Sequence, residues 1–260
     1  MNGKLIQTGS VLNLYKNLGE TPRERIERLR SQRPEYQHEV LSYAGRLDPM
    51  AEGVLICLVG SANKTRDVYL NMSKEYVLNV LFGFSTDTYD ILGKVVENTD
   101  TKDLTRTDIQ QTLNEFRGTV SQEYPPFSSK TLEGKPLFAW ARAGAIGTMI
   151  LPRRTVTISN ISLTSLYRLK ERTFLSYIES SIEKVQGNFR QEEVIQVWKR
   201  ALHGEGTREF PCATIEISCS SGTYARSIAH ALGEHLKYSA LAIHILRTKV
   251  GEYQVKHSLR

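Results

Sequence analysis

The segment from Tyr43 to Leu55 holds the residue best suited to chemistry, an aspartate beside a proline in a glycine-containing stretch. Asp48 is followed by Pro49, and glycines lie at positions 45 and 53 before an apolar run. Such a sequence favours a sharp turn that presents one carboxylate at a fixed place at the edge of a sheet. A carboxylate held in this way can attack a substrate or remove a proton. An ordinary Asp-Pro turn is the commoner use of an aspartate in this context, and the spacing alone does not exclude it.

The pattern around Asp48 is one of several motifs that occur in the order found in a known enzyme family. Residues 45–55 read Gly-x-Leu-Asp-Pro-x-Ala-x-Gly-Val-Leu, which resembles the active-site motif of TruB-type pseudouridine synthases. The other matching stretches are Lys16 to Thr21, Lys74-x-Tyr76, 83–93, 122–144, 219–226 (Cys-Ser-x-Gly-Thr-Tyr-x-Arg), Leu232-Gly233 and 247–251. The resemblance therefore covers nearly the whole chain except residues 167–210.

The resemblance assigns the central chemistry to three side chains. Asp48 takes the position of the catalytic nucleophile, and Arg226 is expected to pair with it and aim it. Tyr76 is expected to stack on a flipped-out uracil, with its hydroxyl available for proton transfer. Without the resemblance, Tyr76 would be interpreted as an ordinary strand aromatic, and Arg226 as a phosphate contact or a surface residue. The resemblance implies no cofactor, and the chemistry needs no metal.

Four further residues are expected around the uracil. Tyr224 and Ile245 would form apolar walls that exclude water, with Leu246 as an alternative to Ile245 because the alignment there can slip by one residue. Tyr43 takes the place of a family histidine that helps to occupy the space of the extruded base. These four residues complete the expected substrate-binding set.

The reaction implied by the resemblance is the isomerisation of the T-loop uridine of tRNA to pseudouridine. The bond from N1 to the ribose breaks, the uracil rotates, and the bond re-forms at C5. The T stem-loop of tRNA is thus the expected partner, and no obligate protein partner is inferred. Two alternatives are a synthase that acts on another structured RNA, such as ribosomal RNA, and a tRNA-binding chaperone without chemistry. The combination of Asp48, Tyr76 and Arg226 favours an enzyme.

Residues 122–154 resemble the thumb-like RNA-binding insertion of the family. Aromatic residues at positions 127, 138 and 140 lie among cationic ones, a mixture suited to stacking and phosphate contacts. The candidate RNA-binding residues are Lys130, Arg142, Arg153 and Arg154. A mobile loop with a solvated charged face is the competing interpretation for any one of them.

Apolar spacing predicts helices mixed with strands, in a single catalytic domain over residues 1–260. Strands are predicted around residues 54–59, 77–82, 156–163 and 213–219, and helices after Thr21, between Thr105 and Gly118, and from Gly222 to Leu236. Two further apolar stripes predict an inserted helical pair at 167–210, a structural brace or an addition to RNA binding, with the brace favoured. The resemblance implies the α/β (α+β) pseudouridine-synthase fold, with a mostly antiparallel sheet and a central cleft. The chain ends nine residues after Gly251, so a C-terminal PUA-type domain is not expected.

Composition agrees with a protein that binds a polyanion. The formal net charge is +6 and the sequence pI is about 9.2, although many basic proteins carry such an excess only as a solvated surface. Three cysteines without CxxC spacing indicate a reducing cytoplasm. The apolar stretches are too short to predict a membrane span.

Overall fold

A large, mainly antiparallel sheet organises the protein. The computed structural model describes residues 9–203 and 206–260. The sheet strands are β1 (Val11–Lys16), β2 (Leu41–Ala44), β3 (Ala51–Val59), β4 (Lys74–Phe82), β7 (Gly118–Glu123), β10 (Arg153–Lys170), β11 (Glu209–Cys219), β12 (Ala240–Val250) and β13 (Tyr253–Gln254). Their order is β1-β3-β12-β4-β11-β10-β7, with β2 on β3 and β13 on β12. Within this sheet only the pairing of β12 with β3 is parallel among the described residues.

Helices and two small hairpins complete the described part of the chain. The helices are α1 (Pro22–Gln32), α2 (Arg66–Leu70), α3 (Arg106–Glu115), α4 (Leu137–Arg142), α5 (Glu171–Ile182), α6 (Gln191–Ala201) and α7 (Ala225–Leu236). The hairpins are β5 (Phe84–Thr86) with β6 (Val95–Asn98), and β8 (Thr131–Leu132) with β9 (Lys135–Pro136). Short 3-10 turns lie at Pro34–Tyr36, Gly60–Thr65, Ile146–Thr148 and Val255–His257. No helix in these two described ranges has the length and apolarity needed to cross a membrane.

Two helical layers cover opposite faces of the sheet. Val80 packs with residues of α3 and α7, whereas its neighbour Leu81 packs with residues of α5 and α6. Successive strand residues point to opposite faces, so the sheet is buried between the two layers. The continuous apolar run from 54 to 59 is fully buried, as expected for a strand covered on both sides.

Local sequence signals place several elements where they were predicted. Thr21 caps α1 in a reciprocal capping box with Glu24, and Thr105 caps α3 in the same way with Asp108. The helix predicted from Gly222 begins only at Ala225. Ser221 and Gly222 form instead a turn, in which Gly222 has a φ of +78°, and Tyr224 is the extended residue that precedes the helix.

The predicted helical insertion is shorter than the range 167–210. β10 extends to Lys170 and β11 begins at Glu209, and these two residues face each other in the sheet. The ends of the predicted range therefore belong to a long hairpin, and the helical pair α5 and α6 lies between its two strands. Positions 204 and 205 in that range lie outside the described residues.

Replacing Trp198 tests the contribution of this helical pair to stability. The indole is fully buried, donates a hydrogen bond of 3.0 Å to the carbonyl of Ile91, and meets Phe84 and Phe174 edge-on. We expect Trp198→Ala to lower the free energy of unfolding by about 3–5 kcal/mol, measured by urea denaturation. Val68→Ala, at an exposed position, is the control and should change it by less than about 0.5 kcal/mol. A loss below about 1 kcal/mol for Trp198→Ala would show that α6 adds little to the core.

Candidate active site

Asp48 lies on the turn that leads into β3. The amide of Ala51 donates a hydrogen bond of 3.0 Å to the carbonyl of Asp48, which closes the turn, and Gly45 before it has a φ of +79°. The carboxylate is 36% exposed and lines a cavity of about 800 Å³. It is therefore fixed by its backbone and still accessible to a ligand.

Arg226, in the first turn of α7, aims this carboxylate. Its Nε donates a hydrogen bond of 2.8 Å to Oδ2 of Asp48, and its side chain is only 3% exposed. The other guanidinium nitrogens donate to the carbonyls of Thr88 at 2.5 Å and Phe127 at 3.3 Å. Burial by itself would lower the pKa of Arg226, but the nearby carboxylates outweigh it and raise that pKa. The expected pairing of Asp48 with Arg226 is present.

Asp90 is a third member of this group that sequence reasoning missed. Its Oδ2 lies 3.5 Å from Nε of Arg226, while Oδ1 accepts hydrogen bonds from the Thr88 hydroxyl at 2.7 Å and the Leu92 amide at 3.0 Å. Burial raises its pKa to about 6, although Arg226 opposes the shift. An acidic residue within the matching stretch 83–93 was the available signal. Its sequence position did not reveal that it would be buried against Arg226.

Tyr76 lies on β4 beside the turn and lines the same cavity. It is 9% exposed, and burial raises its pKa to about 12, so its hydroxyl remains protonated near neutral pH. The positive charge of Arg247, which faces Tyr76 across the sheet on β12, opposes this rise in pKa. The structure thus brings Tyr76, Asp48 and Arg226 to one cavity, as expected.

A second buried arginine, Arg247, holds the turn that carries Asp48 by hydrogen bonds to its backbone. Its guanidinium donates hydrogen bonds to the carbonyls of Val54 at 2.8 Å, Arg46 at 3.1 Å and Gly45 at 3.2 Å. Gly53 allows the backbones of β3 and β12 to lie close together at Arg247, because a Cβ at position 53 would lie only 2.3 Å from the carbonyl oxygen of Arg247. The sequence indicates Arg247 only as the first residue of the matching stretch 247–251, and its contacts with the turn depend on the tertiary structure.

Ile245 and Leu246, the two alternatives for one wall of the pocket, lie on opposite faces of β12. Ile245 and Arg247 line the cavity, whereas Leu246 between them lies on the opposite face of the strand. The geometry therefore places Ile245, and not Leu246, at the site. Tyr43 on β2 and Tyr224 before α7 also line the cavity, as expected.

Of the four candidate RNA-binding residues, two line the cavity and two lie outside it. Arg142 and Arg154 line the cavity. Arg153 lies on the surface, where it pairs with Glu123, and the exposed Lys130 lies 5.5 Å from the ring centre of Tyr124. Only the first two are placed to contact a ligand inside the cavity.

Comparison with known proteins agrees with this geometry. A family model described as "TruB family pseudouridylate synthase (N terminal domain)" matches residues 33–183, more than half of the chain. This chain belongs to the TruB family. The matched range contains Asp48, Tyr76 and Asp90, but neither Arg226 nor Arg247.

Curated relatives in the TruB family include proteins named tRNA pseudouridine synthase B. The protein of Bacillus subtilis (strain 168) is 30% identical over 246 residues, which are 94% of this chain and 66% of the relative. The protein of Gloeobacter violaceus is 33% identical over 248 residues, which are 95% of this chain and 70% of the relative. This chain thus spans about two thirds of the length of the curated relatives that it matches.

Solved structures show that the fold is shared more widely than the sequence. A chain from an H/ACA RNP bound to a substrate RNA containing 2'-deoxyuridine superposes with a TM-score of 0.56 at 19% identity, covering 96% of this chain and 49% of that one. A chain of a Cbf5-Nop10-Gar1 complex gives the same TM-score and identity, covering 95% and 50%. The expected pseudouridine-synthase fold, with its mixed, mainly antiparallel sheet, is confirmed.

Gly53→Ala tests the close contact between β3 and β12 in this TruB-family protein. Gly53 has a φ of +107°, which residues other than glycine rarely adopt. The added methyl group would also collide with the backbone of Arg247. We expect a loss of at least about 2 kcal/mol in the free energy of unfolding, measured by urea denaturation. Gly147→Ala is the matched control, because a Cβ there would meet open space. Equal stability of the two variants would contradict the contact.

Proposed function

We propose that this protein isomerises a uridine of tRNA to pseudouridine, with Asp48 as the catalytic residue. The observation that carries the proposal is the ion pair of Asp48 with the buried Arg226, presented to a cavity beside Tyr76. The names of the TruB-family relatives, which are tRNA pseudouridine synthases, support tRNA as the substrate class. The T-loop uridine is the position that the resemblance of the motifs implies.

The reaction conserves every atom of the nucleoside. The bond between N1 and C1′ of the ribose breaks, the uracil rotates, and C5 bonds to C1′; C5 then loses a proton and N1 gains one. Asp48 can attack the ribose, add to the uracil ring or remove a ribose proton, and each route requires its carboxylate to be ionised and directed at the nucleoside. Arg226 pairs with that ionised form and fixes its direction.

The cavity suits a nucleotide that has left its RNA stack. Flipping a base out of a folded RNA costs about a few kcal/mol, and an aromatic side chain can return about 1–3 kcal/mol by stacking. Tyr43, Tyr76, Tyr224 and Ile245 supply aromatic and apolar surface to the cavity. Such walls keep water away from the sugar while the base is detached.

Two residues that line the cavity each hold a buried polar atom without a hydrogen-bond partner among the described residues. These atoms are the hydroxyl oxygen of Ser128 and Nε of Arg154. Buried polar groups in native proteins are normally paired, so such atoms call for an explanation. Neither atom is accessible to solvent, so a uracil or a phosphate in the cavity would supply the missing partner only after the side chain turned towards it. The cytoplasmic location expected from the cysteines stays a prediction.

Replacing the aspartate tests the proposal directly. We expect Asp48→Asn to reduce pseudouridine formation on an unmodified tRNA transcript by at least about 10³-fold, because the amide cannot act as a nucleophile or a base. Mapping pseudouridine in the transcript after a timed incubation provides the measurement. Asp103→Asn changes an exposed aspartate and should retain the wild-type rate.

Two results would count against this assignment. Full activity of Asp48→Asn would remove Asp48 from the chemistry. Modification of ribosomal RNA by the wild-type protein, with tRNA left unmodified, would favour the alternative substrate.

Tyr76→Phe separates stacking from proton transfer. The phenylalanine ring keeps the aromatic face but lacks the hydroxyl, so we expect kcat to fall by about 10²-fold or more while KM for tRNA changes by less than about threefold. Tyr76→Leu should lower kcat and also raise KM, because the aromatic face that stacks on the base is lost as well. Single-turnover and steady-state kinetics would measure the difference. An unchanged kcat for Tyr76→Phe would show that the hydroxyl takes no part.

A further inference from the structure

The segment 186–190, which is part of the connection between α5 and α6, reaches the cavity from outside the range that the family model matches. Phe189 and Arg190 both line the cavity, whereas the family match ends at residue 183. The helical insertion therefore contributes directly to the candidate active site. Phe189 is partly buried and also packs against the apolar cluster that contains Trp198, so this segment links that cluster to the cavity.

Gln191 holds this segment in one conformation. Its side-chain amide donates hydrogen bonds to the carbonyls of Val185 at 3.0 Å and Gly187 at 2.7 Å, and its carbonyl accepts one from the amide of Phe189 at 2.8 Å. Arg190 has a φ of +65°, a left-handed conformation that non-glycine residues adopt only when their surroundings hold them there. The segment is thus pre-organised towards the cavity.

Arg190 connects this segment to the 83–93 stretch and to the thumb-like insertion. Its guanidinium pairs with both carboxylate oxygens of Asp87, at 2.8 and 3.3 Å, and lies 4.4 Å from the ring centre of Phe127. Phe127 belongs to the thumb-like insertion, and its carbonyl accepts the hydrogen bond from Arg226. The insertion therefore touches the thumb at the residue that also contacts the Asp48–Arg226 pair.

A second contact joins the same two insertions. Nη2 of Arg142 donates a hydrogen bond of 2.9 Å to the carbonyl of Asn188, and its guanidinium lies 6.0 Å from the ring centre of Phe138. Two arginine–phenylalanine pairs and a further aromatic ring thus lie together at the rim. We call these residues the thumb–insertion cluster: Phe127, Phe138, Arg142, Phe189 and Arg190.

The composition of the cluster and of the cavity favours single-stranded RNA as its ligand. Aromatic faces interleaved with cations bind single-stranded nucleic acid, because every base can stack and every phosphate is anionic. Among the described residues, eight lysines and arginines line the cavity against two carboxylates, and both of these carboxylates already contact Arg226. The rim that surrounds an extruded nucleotide is also where the adjoining strand must pass.

We propose that the thumb–insertion cluster binds the nucleotides that flank the extruded uridine, and that Phe189 provides a stacking surface for one of their bases. The segment 186–190 is then a second RNA-binding wall that faces the thumb. The inference rests on the proposed function, since it takes the bound molecule to be the substrate RNA.

Binding in an inactive background tests this inference separately from the chemistry. In full-length Asp48→Asn protein, we expect Phe189→Leu to weaken binding of an unmodified tRNA transcript by about tenfold at fixed salt, as the loss of one stacked base would. Leucine keeps most of the apolar volume of this partly buried side chain, so the midpoint of thermal unfolding should fall by no more than a few degrees. Tyr167→Leu removes a half-exposed aromatic side chain from β10 that is not among the described residues lining the cavity, and its Kd should stay within about twofold of the parent.

The kinetic pattern provides a second, independent readout. In the Asp48-containing protein, Phe189→Leu should raise KM by about tenfold and leave kcat within about twofold. An unchanged Kd and KM, or a fall in kcat with an unchanged KM, would overturn the proposal and assign the segment a structural role. Failure of the proposed function is distinguishable, because the wild-type protein would then form no pseudouridine whatever the effect of Phe189→Leu on binding.

Discussion

The buried guanidinium of Arg226 constrains much of the structure around the cavity. A cation removed from water is stable only if carboxylates and carbonyl oxygens replace its hydration. Asp48, Asp90, Thr88 and Phe127 supply those groups, and they come from three separate segments of the chain. The arginine that directs the carboxylate of Asp48 is therefore also the group around which the turn, the 83–93 stretch and the thumb assemble.

A second buried arginine performs a different task a short distance away. Arg247 binds backbone carbonyls and fixes the path of the turn, whereas Arg226 binds the side chain that the turn presents. Both the position and the direction of Asp48 are thus set before any substrate arrives. In the proposed reaction such a pre-organised charged group would not need to reorient, which is the usual basis of electrostatic catalysis.

The helical insertion serves both stability and the site because of how it is attached. It extends the β10–β11 hairpin, and α5 and α6 cover the face of the sheet opposite α3 and α7. Trp198 reaches the carbonyl of Ile91, close to Asp90, so the same packing that buries the sheet supports the loop that holds Arg226. The segment between the two helices is then fixed at the rim of the cavity.

Local interactions were determined by the sequence alone. The capping boxes at Thr21 and Thr105, the buried strand after Asp48 and the mixed fold follow from spacing and residue type over a few positions, and the motif resemblance brought Asp48, Tyr76 and Arg226 together. The tertiary structure decided which groups pair and which face the cavity. Asp48 and Arg226 are 178 positions apart, Gly45 and Arg247 are 202 apart, and Asp87 and Arg190 are 103 apart. Burial of Asp90, the choice of Ile245 over Leu246 and the approach of Phe189 depend on strand register and long-range packing, which no local pattern of residues encodes.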